Sequence, residues 1–105
     1  MSRHYAPKAK LITLDWRDDA DLRRQLAAGK VSTATARIIA HTRVPSGDGL
    51  GGVSVIPHDP GAFARALYAE LHRCDDEGAG TIVVEALPDT PEWRAVQDRL
   101  SRAGR

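Results

Sequence analysis

Apolar positions change their spacing several times along this chain, and each change predicts an element. Leu11-Ile12-Thr13-Leu14 is a short apolar run that reads as a strand. Asp15 to Asp21 is acidic, which suits a helix start, where carboxylates meet the positive end of the helix dipole. Leu22 and Leu26 lie four apart and Gly29 follows, so the spacing predicts a helix over about 18–29 with Gly29 as a left-handed cap. Ala36-Arg37-Ile38-Ile39-Ala40-His41 predicts a second strand. The turn-rich "TRVPSGDGLGG" comes next, and Gly52-Val53-Ser54-Val55-Ile56 gives a third strand stopped by Pro57.

The second half is patterned more strongly. Asp59 is a good N-cap and Pro60 a good first helical residue. Phe63, Leu67 and Leu71 recur every fourth position, with Ala64 and Tyr68 beside them, as one apolar stripe on a helix ending near Gly78. Thr81-Ile82-Val83-Val84-Glu85-Ala86 is apolar on both alternating sets, the mark of a strand covered on both faces. Thr90-Pro91-Glu92 repeats the cap-then-proline start, and Trp93, Val96 and Leu100 give a last helix with Gly104 just past it. The order strand, helix, strand, strand, helix, strand, helix predicts an α/β fold, with a mostly parallel sheet of about four strands and three helices. Residues 1–9 read as an irregular arm and residues 10–105 as the folded body.

Composition narrows the classes. At 105 residues, 42% apolar and 28% charged, the chain suits one globular domain. A net charge of +1 argues against a broad nucleic-acid or membrane footprint, which needs a clear excess of Lys and Arg. There is no run of about 18 apolar residues to span a bilayer. The N-terminus lacks an apolar signal-peptide core. Cys74 is the single cysteine, which points to a reducing cytoplasm.

Most candidate chemistry fails on context. "AGKVST" (Ala28 to Thr33) follows a helix instead of leading from a strand into one, so it is no phosphate loop. "GDGLGG" (Gly47 to Gly52) precedes a strand and reads as a connection. His4, His41, His58, His72 and Cys74 lack metal-ligand spacing, so no metal site is expected. Cys74 has no evident activating histidine and reads as packing. Ligands of open α/β sheets sit at the carboxyl ends of strands, which makes Glu85 the best carboxylate candidate, with His41 at the neighbouring strand end. Capping or ion pairing is the plainer role for Glu85. Arg94, Arg99 and Arg102 are diluted by Glu92 and Asp98, so the last helix reads as a solvated face.

Two stretches carry a resemblance. "RHYAPKAKL" (Arg3 to Leu11) resembles the linker of the two-domain threonylcarbamoyl-AMP synthase family, where an Arg/Lys-His-Tyr-Ala-Pro motif precedes the accessory C-terminal domain. "VIPHDPGAFARALYAELHRCDDEGAGTIVVEALPDTPEWRAVQDRLSRA" (Val55 to Ala103) is similar to the body of that domain, while residues 15–50 match it only in outline. The resemblance implies a three-layer Rossmann-like sandwich. It also implies that the whole enzyme joins L-threonine, bicarbonate and ATP into threonylcarbamoyl-AMP for modification of adenosine 37 in tRNA. ATP, bicarbonate and magnesium belong to a catalytic domain that these residues do not contain, so no cofactor and no catalytic residue is expected here. The partner implied is that catalytic domain, in cis or in trans, with no membrane and no direct tRNA contact. Carried over by position, Arg3, His4, Tyr5 and Pro7 form a linker gate. Tyr5 and His4 would hydrogen-bond ligands in the neighbouring cleft, Arg3 would meet an anion, and Pro7 would limit the arm's freedom. The rival readings are a stand-alone small-ligand or nucleotide-binding module, using His41 and Glu85, and a protein or tRNA adaptor.

Overall fold

A computed structural model of the chain describes residues 6–104. Its centre is the β-branched run Thr81–Glu85. This strand, β4, lies between β1 (Lys10–Leu14) and β2 (Ala36–Ala40), and β3 (Gly52–Val55) pairs with β2 at the far edge. The order β1-β4-β2-β3 is parallel at every pairing, with Ile12 and Ile38 both in register with Val83.

Alternation along the two central strands builds a core on each face. Ile39, Ile82 and Val84 point to one side and pack with Phe63, Leu67 and Leu71 of α2 (Pro60–Asp76), and with Val96 and Leu100 of α3 (Arg94–Ala103). Ile38, Ala40 and Val83 point to the other side, against Leu22 and Leu26 of α1 (Asp19–Ala28) and against Trp16. The result is a three-layer sandwich of one helix, the sheet and two helices. Successive residues of both central strands are fully buried because each face is covered. Tyr68, expected beside the stripe of α2, is instead 55% exposed. The last helix is entered through a single 3-10 turn, Pro91–Trp93.

Parallel β2 and β3 are joined without a helix. Residues 41–51 make the crossover on the α1 side, where Leu50 packs into that core and Arg23 donates to the Ser46 carbonyl at 2.9 Å. This is the role of the glycine-rich stretch. Gly51 donates to both the Thr33 and Ala36 carbonyls, and a Cβ there would stand 2.9 Å from two backbone oxygens. Helix starts follow the predicted chemistry: Asp18 caps α1 through the Asp21 amide and Asp59 caps α2 through the Ala62 amide. One helix end differs from the expectation. Gly29 has φ −84°, and the left-handed residue is Lys30 at φ 58°. The Val31 amide reaches Leu26 O and the Lys30 amide reaches Ala27 O, a Schellman pattern that places the left-handed turn one residue later than the glycine.

Candidate functional site

The root of the arm, Lys8 and Ala9, and the strand-end candidates lie at opposite ends of the sheet. Arg3, His4 and Tyr5 fall outside the described residues. Pro7 is half-buried, and just after it the chain is fastened. The Asp75 carboxylate, in the last turn of α2, accepts the Lys8 amide at 2.9 Å and the Ala9 amide at 3.1 Å. Ala9 is itself part of the core, so the arm is rooted where β1 begins.

His41 and Glu85 lie at the carboxyl ends of β2 and β4, one strand length away, about 16 Å. There the chain turns sharply after Ala40, and three successive amides face one point. Glu85 fills it. Its carboxylate accepts from the amides of His41 at 2.8 Å, Thr42 at 2.9 Å and Arg43 at 3.1 Å, and from the Thr42 hydroxyl. Burial pushes the Glu85 carboxyl up, but the His41 amide and the Thr42 hydroxyl and amide outweigh it and hold the group below its ordinary value. Glu85 is therefore an internal cap for the β2 exit.

The histidines expected to be unrelated are not all so: His41 and His58 meet. Their Nδ1 atoms are 2.8 Å apart. His41 Nε2 faces two acceptors, the carbonyls of Glu85 at 3.2 Å and Ala86 at 3.1 Å, so it carries a hydrogen. In the neutral ring that leaves Nδ1 of His41 as a lone pair, and His58 Nδ1–H donates to it. Phe63 meets the His41 ring edge-on at 5.4 Å, and Trp93 lies 5.2 Å from the His58 ring. The side chain of His41 is buried and His58 is exposed. Both line a depression of about 240 Å³ with Asp15, Arg43 and Pro88. A larger groove, about 720 Å³, runs between α2 and α3 over Leu67, Leu71 and Leu100, with Arg65 and Arg99 on its rim and Ala6 at its edge. No group of three or more metal-ligating side chains forms among the described residues. Cys74 is fully buried, and that burial pushes its thiol up, away from the reactive thiolate.

Comparison with known proteins bears on the whole chain. The profile described as "Threonylcarbamoyl-AMP synthase, C-terminal domain" matches residues 1–104. The chain belongs to that family. A crystal structure of P. abyssi Sua5 complexed with L-threonine shares the fold of this threonylcarbamoyl-AMP synthase C-terminal domain. It aligns at TM-score 0.70 and 24% identity, over 98% of this chain. The chain spans 30% of that protein's length. No curated protein matches the sequence.

Sequence reasoning overlooked Asp75, Trp16 and the pairing of His58 with His41. Trp16 is 1% exposed and donates from Nε1 to the Arg43 carbonyl at 2.9 Å, fixing the turn that Glu85 caps. An isolated tryptophan inside an acidic stretch was the available signal for it. Asp75 gave none, because its partners are backbone amides 66 and 67 residues away.

Proposed function

We infer that this domain is a non-catalytic anchor for the linker of an L-threonylcarbamoyladenylate synthase, and that the linker gates the ATP and threonine pocket of the catalytic domain. The observation that carries this reading is the Asp75 clamp on the Lys8 and Ala9 amides. It gives the arm a fixed root immediately after Pro7, so Arg3, His4 and Tyr5 start from a defined point on the body. The family match, which begins at residue 1 and so includes the arm, supports it as well. A tethered cover loses less freedom on closing than a loose one, and closure would shield a mixed anhydride from water. Glu85 weakens the rival ligand-binding reading, since its oxygens already serve the chain's own amides.

The setting that goes with this role is the cytoplasm. No helix of the described residues is long and apolar enough to cross a membrane, and the buried single thiol Cys74 fits reducing conditions. The test is a fusion of this chain to a catalytic domain of the family, assayed for ATP-dependent threonylcarbamoyl-AMP formation. The expected outcome is no ATP turnover by the isolated chain, an active fusion, and a lower rate for Tyr5→Ala in the fusion. Unchanged turnover by the Tyr5→Ala fusion removes the gating role. Calorimetric titration of the isolated chain with ATP, GTP, AMP and threonine addresses the rival reading, which requires micromolar binding.

A further inference from the structure

The His41–His58 pair lies at the opposite end of the sheet from the root of the arm at Lys8 and Ala9, and plays no part in the proposed gating. It is nevertheless built with more care than a chance surface contact. The inner ring is fixed on three sides: its Nε2–H is held by the Glu85 and Ala86 carbonyls, its edge meets Phe63, and its Nδ1 lone pair faces outward to His58. A histidine that donates one ring nitrogen to backbone carbonyls and presents the other as a lone pair has the second-sphere arrangement typical of a metal ligand. The Glu85 carboxylate adds negative charge 3.9 Å from the His41 Nε2. The opposing charge in the depression, Arg43, has its guanidinium directed to Asp15 at 3.9 Å.

We propose that the His41 and His58 Nδ1 atoms form a chelating site for a late first-row divalent metal ion such as zinc or cobalt, with water completing the coordination. Imidazole nitrogen suits these ions, whereas magnesium and calcium prefer oxygen. His58 gives up the Nδ1 hydrogen it shares with His41 and takes one at Nε2 from solvent, so two neutral rings each offer an Nδ1 lone pair. At zinc–nitrogen distances near 2.05 Å and a tetrahedral angle, the two nitrogens must stand about 3.3 Å apart. They are 2.8 Å apart now. The two rings are nearly coplanar, at 10°, with centroids 5.0 Å apart, so their Nδ1 atoms point straight at each other. The exposed His58 ring must therefore swing sideways by about 2 Å to aim its lone pair at an ion held by His41. With two protein ligands the affinity is that of an open site.

The experiment titrates zinc into the full chain carrying His4→Ala, which removes the arm's imidazole, and follows the histidine ring signals by NMR. Cobalt absorption reports the geometry in parallel. The expected result is saturable, coupled shifts of the His41 and His58 rings and visible bands of tetrahedral cobalt, with His72 unmoved. His58→Ala, a change at an exposed position that leaves the fold intact by circular dichroism, weakens binding at least tenfold. His72→Ala leaves it unchanged. Ring signals of His41 and His58 that stay fixed at millimolar zinc overturn the proposal, as does equal affinity in His58→Ala.

Discussion

The Asp75 carboxylate receives the Ala9 amide at 3.1 Å across 66 residues of chain, and so ties the root of the arm to the far end of α2. The Lys8 amide shares the same carboxylate at 2.9 Å. A charged acceptor on two backbone donors has the geometry of a cap, and it acts here between elements distant in sequence.

Asp75→Ala frees both amides. Hydrogen exchange at Lys8 and Ala9 should rise sharply while the central strands keep their protection. Unfolding by urea should show a loss of about 1–2 kcal/mol, because these bonds are partly solvated. In a fusion with a catalytic domain the same change should lower turnover, read as ATP-dependent threonylcarbamoyl-AMP formation.

Glu85→Gln tests the cap at the β2 exit. The neutral amide brings a donor against backbone donors, at a position 2% exposed. The expected cost is about 3 kcal/mol at neutral pH. The folded-state value of the carboxyl is lowered, so its contribution is complete above the unfolded-state value of about 4.3 and is lost as pH falls through the folded value. The difference between wild type and Glu85→Gln should therefore shrink as the solution is acidified below about pH 4.3, read from urea midpoints across pH.

Gly51→Ala should destabilise the β2–β3 crossover. Its added methyl carbon would stand 2.9 Å from the carbonyl oxygens of Ala34 and Ala36, which are backbone and cannot step aside. A loss of about 1–3 kcal/mol is expected, with faster exchange in β3 before β1 is affected.

Lys30→Gly should move the other way. Lys30 holds φ 58°, a conformation that burdens an L-residue, and its side chain is exposed. Glycine relieves that strain but loses more freedom on folding, leaving a net gain of about 0.5 kcal/mol. Thermal unfolding of the pair measures it.

Trp16→Phe should remove the hydrogen bond to the Arg43 carbonyl while keeping an aromatic ring in the α1-side core. A cost of about 1–2 kcal/mol is expected from the unpaired acceptor. The remaining tryptophan, Trp93, then reports tertiary structure alone by fluorescence.

Local chemistry was enough to write down the elements. The Asp59-Pro60 start, the Phe63-Leu67-Leu71 stripe and the doubly apolar Ile82-Val83-Val84 run each state their structure within a few residues, because caps, helical periodicity and strand alternation are short-range physics. The resemblance of Arg3 to Leu11 and of the second half likewise lay in the residues themselves. Which strands pair, and therefore what meets at their ends, was decided only by the tertiary fold. Placing β4 between β1 and β2 brings Glu85 under the amides of His41, Thr42 and Arg43. The path of α2 back along the sheet carries Asp75 to the arm, and the chain entering α2 sets His58 against His41. The Asp75 and Glu85 contacts join residues tens of positions apart through backbone amides, so no side-chain pattern announces them, and the two histidine rings meet only because the fold brings the β2 exit and the entry to α2 together.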